Sequence, residues 1–267
     1  MSTRRPLKAL GQNFLVDNNI IEKIIHSAAI KPEDSVLEIG PGRGALTEYL
    51  ARKAGRLVLI EYDHALAASL KERYADDSRV TVVDADILAV DLAAVLGDAA
   101  TGWKVVANLP YNISTAVLFR LLEVRDRLAR MILMLQKEVG DRLVAAPDCA
   151  DYGVTTVLLG LWFDMRREFI VSPGCFHPRP KVDSAVLSFV PLPAERVPVG
   201  DEAVFRRVVK GAFAMRRKTL INCLKAAELT TIDDLRSILS DCGIDGQRRG
   251  ETLTLDEFAA LSRRLSG

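Results

Sequence analysis

A doubly wound α/β fold with a mostly parallel sheet, followed by a small all-helical domain, is the architecture this sequence predicts. Short β-branched runs alternate with helix-length segments through most of the chain. The runs are apolar almost throughout, as in strands covered on both faces. A proline-rich break at 191–202 then ends the alternation, and only helical periodicity follows.

The predicted strands are SVLEI (35–39), LVLIE (57–61), VTVVD (80–84), KVVAN (104–108) and MILMLQ (131–136). Helix-length segments at 44–54, 63–75, 114–124 and 137–146 follow four of them, which implies βαβ units and parallel pairing. The stretch 152–163 reads as a further buried helix. RREFIV (166–171) and SAVLSFV (184–190) flank a proline-rich loop and are expected to pair as antiparallel edge strands. The three prolines of PLPAERVPVGDE (191–202) place a domain boundary between 195 and 196. Helices are expected beyond it at about 202–214, 217–227, 231–241 and 254–265.

The 267 residues are 49% hydrophobic and 27% charged, which suits one large globular domain with an appendage. A net charge of +1 neither demands nor excludes a nucleic-acid partner, so local clustering has to decide. The cysteines at 149, 175, 223 and 242 form no C-x-x-C pair, and no histidine stands at a zinc-like spacing from them. Reduced thiols and no metal are expected. The start MSTRRPLKALGQ is basic without the apolar core of a secretory signal, and the longest apolar run (154–163) is too short to span a bilayer. A cytoplasmic monomer is the expectation.

VLEIGPGRGALTEYL has the form strand, glycine-rich turn, helix. Gly40, Gly42 and Gly44 let the backbone turn sharply and approach a ligand. Two ligands compete for this loop. Gly40, Gly42 and Ala45 satisfy the G-x-G-x-x-A pattern of dinucleotide folds. Glu38 extends the pattern to E-x-G-x-G-x-G, the form in which Rossmann-like class I methyltransferases bind S-adenosylmethionine, and this tips the reading. Glu61, 21 residues after Gly40 at the end of the second strand, suits a ribose diol in either case. Within DADIL (84–88), Asp86 is preferred over Asp84 as acceptor for the adenine amino group, although Asp86 also suits the cap of a following helix.

Ligands of open α/β sheets bind beyond the carboxyl ends of the strands, where Asn108 stands. Leu109 precedes a proline and is pushed toward extended geometry. Pro110 has no N–H and offers only a carbonyl. The Asn108 side-chain oxygen and the Pro110 carbonyl are two acceptors, which is what an exocyclic NH₂ requires. Holding both protons draws the nitrogen lone pair out of conjugation. Tyr111 supplies a flat face for a purine, worth about 1–3 kcal/mol per stacked base.

GQNFLVD (11–17), EIGPGRGALT (38–47), EYD (61–63), NLPYNIS (108–114) and FHPRPKVDSAV (176–186) together resemble the small-subunit (16S) ribosomal RNA adenine N6-dimethyltransferases, the family whose loss gives kasugamycin resistance. The matching motifs span 11–186, and the helical tail fits the family's second domain. The resemblance implies that Asn13, Leu15, Gly40, Gly42, Glu61, Asp86 and Asn108 bind S-adenosylmethionine. It implies that Asn108, Pro110, Tyr111 and Phe176 form the catalytic site, with Tyr111 and Phe176 on opposite faces of the target base. The implied product is N6,N6-dimethyladenosine at two adjacent adenosines near the 3′ end of 16S rRNA, made on an assembling small subunit. The match is loosest at DADIL, where Asp84 adds a second acidic residue.

RNA contacts are expected on two surfaces. Arg179 and Lys181 lie in the FHPRPKVDS loop. Between Arg206 and Lys225 stand seven basic residues and no acidic one, Arg216, Arg217 and Lys218 among them. Arg4, Arg5 and Lys8 form a further basic arm. The nearest rival is the sister group that methylates a single large-subunit adenosine and confers macrolide resistance. A nicotinamide-dependent dehydrogenase and a non-enzymatic assembly factor are the alternatives of other classes.

Overall fold

The computed structural model describes residues 13–97 and 102–266. They form two compact units, Met1–Gly140 with Asp164–Pro191, and Asp141–Phe163 with Leu192–Gly267.

The first unit is built on a seven-stranded sheet. Its strands are β2 (Ser35–Ile39), β3 (Arg56–Glu61), β4 (Val80–Asp84), β5 (Trp103–Asn108), β6 (Leu128–Gln136), β7 (Phe163–Val171) and β9 (Ser184–Pro191). Two short strands, β1 (Phe14–Leu15) and β8 (Phe176–His177), form a separate antiparallel ribbon. The order across the large sheet is β4-β3-β2-β5-β6-β9-β7. All pairings from β4 to β6 are parallel, and β9 runs antiparallel to β6. The chain winds outward through β2, β3 and β4, then crosses to β5 on the other side of β2. That reversal opens a crevice at the carboxyl ends of β2 and β5, the position where such sheets bind ligands.

Burial explains why these runs are strands. Val36, Leu37, Val105, Val106 and Leu133 are wholly inaccessible, as expected for parallel strands sandwiched between helices. The helices are α1 (Asn18–Ala28), α2 (Thr47–Lys53), α3 (His64–Arg73), α4 (Leu92–Leu96), α5 (Ser114–Glu123) and α6 (Lys137–Leu143). Asp17 and Asp63 cap α1 and α3 by accepting N–H bonds from their first turns. Helix α2 starts three residues later than its apolar pattern predicts. Gly44, at φ +83°, holds the preceding turn outside helical geometry.

One placement differs from expectation. SAVLSFV was expected at the sheet edge, yet β9 lies between β6 and β7 and is buried from Ser184 to Phe189. Ala185, Val186, Leu187 and Phe189 point to both faces of the strand, which requires cover on both. The true edge is β7, whose exposed Arg166, Arg167 and Glu168 suit an unpaired margin.

The second unit is helical. It holds α7 (Val154–Gly160), α8 (Glu202–Phe213), α9 (Leu220–Ala226), α10 (Ile232–Asp241) and α11 (Leu255–Leu265). The chain leaves the first unit at 191, near the proline-rich break. Residues 141–163, which the boundary at 195/196 assigned to the sheet domain, group with the tail helices instead. Tyr152 explains the attachment: its ring lies 6.0 Å from Phe213 of α8, which in turn lies 5.8 Å from Phe258 of α11. Such aromatic contacts join segments far apart in sequence and leave no periodic trace in either.

Candidate active site

The crevice at the β2/β5 reversal is a cavity of about 300 Å³ within the first unit. The glycine turn forms one wall. Gly40 and Gly42 adopt left-handed conformations, at φ +66° and +57°. The Gly40 N–H donates to the Ile60 carbonyl at 2.9 Å, which fastens the turn to β3. A side chain at Gly40 would meet nothing within 4 Å, so the backbone here borders open space. At Gly42 a Cβ would lie 2.9 Å from the Phe14 ring, so β1 packs directly on the turn. The Arg43 guanidinium covers the same ring at 4.6 Å.

Glu61 ends β3, is 5% exposed, and ties the site together. One carboxylate oxygen accepts the Gly42 N–H at 2.8 Å and the other accepts the Asp63 N–H at 2.8 Å. Each oxygen keeps a further lone pair for a ligand hydroxyl. Burial pushes the Glu61 carboxyl up, and the backbone N–H groups of Asp63, Gly42 and Tyr62 oppose that by favouring the ionised form. Glu38 is deeper still. Its carboxyl accepts the Thr47 hydroxyl at 2.7 Å and is pushed up to about 8 by burial, with the neighbouring Glu61 charge adding to the effect and Thr47 opposing it.

The structure separates the two aspartates of DADIL. Asp86 lines the cavity, and one of its carboxylate oxygens accepts the Leu88 N–H at 2.8 Å. Asp84 faces elsewhere, bonded at 2.7 Å to an exposed His64 ring. The helix expected directly after Asp86 begins only at Leu92, capped by Asp91, so Asp86 closes a turn instead.

Asn108 sits at the end of β5, opposite Met134 of β6. Its Nδ2 donates to the Asn13 carbonyl at 3.0 Å. That bond uses one of the two Nδ2 donors and leaves Oδ1 as an acceptor. The Pro110 carbonyl already accepts the Ile113 N–H at 3.2 Å and keeps one lone pair. Tyr111 lies in the cavity wall, with its hydroxyl 2.7 Å from Ser184 Oγ. Burial pushes the Tyr111 phenol up, so it stays protonated at neutral pH.

Asn13, Leu15, Gly40, Gly42, Glu61, Asp86, Asn108, Pro110 and Tyr111 therefore share one cavity. Phe176 does not. It is 4% exposed and packs in the buried cluster that also holds Leu15 and Val171. Its place opposite Leu15 in the β1–β8 ribbon accounts for this, since a phenyl ring there is most stable under cover. Tyr62, 55% exposed, and Ile87 also line the cavity and were not anticipated. Their signal was available: Tyr62 directly follows Glu61 at the end of β3, and Ile87 directly follows Asp86 just beyond β4.

Arg179 and Lys181 are exposed on the loop between β8 and β9. In the second unit, Arg216 and Lys218 line a separate cavity of about 320 Å³ together with Arg142 and Arg249. Arg217 is exposed but does not line it. Arg206, counted in the basic run, is paired with Glu202 at 2.7 Å. Arg4, Arg5 and Lys8 lie outside the described residues. Among the described residues, no cluster of three or more His, Cys, Asp or Glu side chains is placed to hold a metal ion, and no helix is long and apolar enough to cross a membrane.

The chemistry of the donor set tests the cofactor. Glu61 and Asp86 line the cavity with one guanidinium, Arg43, beside a Glu38 carboxyl that burial keeps protonated. Such a site opposes a pyrophosphate and fits a cationic ligand bearing hydroxyl and amino groups, as S-adenosylmethionine does. Fold and cavity thus define a Rossmann-like methyltransferase. The chain belongs to the ribosomal RNA adenine dimethylase family, whose model matches residues 5–264. S-adenosylmethionine is its methyl donor. A relative from Geobacter metallireducens, named ribosomal RNA small subunit methyltransferase A, is 57% identical over 98% of this chain and 96% of its own. One of the same name from Clostridium acetobutylicum is 41% identical over 96% of this chain and 92% of its own. Among solved structures, a dimethyladenosine transferase from Plasmodium falciparum superposes with a TM-score of 0.80 at 25% identity, covering 93% of this chain and 95% of that one. The 23S rRNA methyltransferase ErmE gives 0.69 at 25% identity, covering 96% and 100%.

Proposed function

We propose that this enzyme converts two adjacent adenosines near the 3′ end of 16S rRNA to N6,N6-dimethyladenosine on the assembling small subunit, in the cytoplasm, and so takes part in subunit maturation. The observation that carries the reading is the grouping in one cavity lining of Asn108, whose Oδ1 is left as an acceptor, Pro110, whose carbonyl keeps one lone pair, and Tyr111. The small-subunit names of the relatives support the choice of substrate over the large subunit.

The target adenine leaves its stack and lies against Tyr111. Asn108 Oδ1 accepts one amine proton and the Pro110 carbonyl the other. With both protons held out of the ring plane, the nitrogen lone pair points into the cavity. The bound cofactor supplies an electrophilic sulfonium methyl. The Asn13 carbonyl fixes which end of the Asn108 amide faces the amine, and this preorganisation is the chain's main contribution to rate. Neither acceptor is basic, so the displaced proton passes to water after transfer. Glu61 orients the ribose diol and Asp86 the cofactor's adenine. Arg179 and Lys181, and in the helical unit Arg142, Arg216, Lys218 and Arg249, contact RNA phosphates without reading sequence.

The test is methylation with labelled S-adenosylmethionine of immature small subunits and, in parallel, of immature large subunits. Label is expected in small-subunit RNA. Label confined to large-subunit RNA would overturn the assignment.

A further inference from the structure

We propose that Ser184 is a positioning residue for methyl transfer, whose hydroxyl pins the tip of the Tyr111 ring and so holds the plane of the target adenine constant through both transfers to one nitrogen. The proposal rests on the stacking role assigned to Tyr111.

Ser184 opens β9, is wholly inaccessible, and stands opposite Gln136 of β6. A hydroxyl buried at the start of this strand requires a partner. Its partner is the Tyr111 hydroxyl at 2.7 Å, across 73 residues of sequence. Tyr111 is also held at its backbone, where its carbonyl accepts the Ser114 hydroxyl at 3.2 Å. Pro110, with its fixed φ, precedes it. The hydroxyl tip of the ring and the backbone that carries it are thus both held.

The consequence falls unequally on the two transfers. An unmodified amine offers two protons, one to Asn108 Oδ1 and one to the Pro110 carbonyl. After one transfer the amine keeps a single proton and must place a methyl group where the other proton was. The base then loses one of its two anchoring hydrogen bonds and depends more on the stacking surface. A ring free to swing weakens the second transfer more than the first.

Single-turnover methylation of immature small subunits, with N6-methyladenosine and N6,N6-dimethyladenosine counted by mass spectrometry, tests this. Ser184→Ala and Tyr111→Phe each remove one partner of the bond. Each is expected to slow the second transfer by about 3–10-fold, the range for one hydrogen bond, and to raise the monomethyl fraction. Cofactor affinity stays at the wild-type value. The double variant is expected to be no worse than either single one, because both delete the same bond. Multiplying effects in the double variant, or an unchanged monomethyl fraction in both singles, would overturn the proposal. Tyr111→Phe leaves β9 untouched, so the test survives a poorly folded Ser184→Ala. Tyr111→Ala separates the two readings. If it is inactive while Tyr111→Phe and Ser184→Ala match wild type, only the Ser184 tether falls. If it methylates at the wild-type rate, the stacking role itself is refuted.

Discussion

Alanine at Gly42 and at Gly40 should damage the enzyme in different ways, and the difference follows from what surrounds each glycine. Both glycines are left-handed, so alanine costs about 1–2 kcal/mol of backbone strain at either site. At Gly42 the new Cβ also falls 2.9 Å and 3.1 Å from two atoms of the Phe14 ring. Overpacking of that kind costs about 1–3 kcal/mol more. The displaced ring also leaves the Arg43 guanidinium, a contact worth about 0.5–1 kcal/mol. Gly42→Ala is therefore expected to lose about 2.5–6 kcal/mol, and Gly40→Ala only about 1–2 kcal/mol. The new Cβ at Gly40 meets no protein atom and borders the cavity, so its larger effect is on the cofactor. Denaturant unfolding of the two variants gives the stability order, and calorimetric titration with S-adenosylmethionine gives the affinities. Equal stabilities would refute the packing of Phe14 on Gly42. Wild-type cofactor affinity in Gly40→Ala would refute a close approach of ligand to the turn.

Asn108→Ala is expected to slow methyl transfer by about 10²-fold or more, the scale for one preorganised polar group, with cofactor affinity within a few fold of wild type; equal turnover in single-turnover assays would remove Asn108 from the mechanism. Glu38 holds its proton up to about pH 8 in the folded chain against a usual value of 4.5. The folded state thus binds the extra proton between these values, and stability contributed by this group is lost as pH rises from about 4.5 through about 8, at up to about 1.4 kcal/mol per unit. Glu38→Gln should flatten that part of the profile, and parallel pH profiles of unfolding free energy for the two proteins would contradict the assignment. Reversing Arg216, Arg217 and Lys218 to Glu should weaken small-subunit binding and reduce its salt dependence while sparing cofactor affinity. Filter binding across a salt series checks this, and an unchanged slope would take these residues out of the RNA interface.

Much of the first unit was legible because its signals are local. The five parallel strands are recognisable as apolar β-branched runs, each ending near the observed residue. Asn108, Glu61 and the glycine turn announce themselves by standing at strand ends, where polar residues are poor core material. Helix α1 was also readable, since Ile21, Ile24, Ile25 and Ala28 follow a helical period and are all buried, although they were not assigned to an element. What remained hidden depends on pairing at a distance. The interior place of β9 is fixed by its register with β6, and hydropathy alone does not separate an interior antiparallel strand from an edge one. The burial of Phe176 comes from a two-residue ribbon joining positions 14–15 to 176–177, too short for any periodicity. The hydrogen bonds from Asn108 to Asn13 and from Tyr111 to Ser184 span 95 and 73 residues. They decide which atoms of the motif remain free for chemistry, and no spacing rule discloses them.

The Asn108–Pro110–Tyr111 cradle is expected to deliver two methyl groups to each of two neighbouring adenosines. Mass mapping of nuclease fragments from small-subunit RNA, after incubation of immature subunits with enzyme and S-adenosylmethionine, tests it most directly. One fragment near the 3′ end is expected to carry four methyl groups as two adjacent N6,N6-dimethyladenosines. A product with methyl groups on a single adenosine, or at a site away from that 3′ fragment, would contradict it.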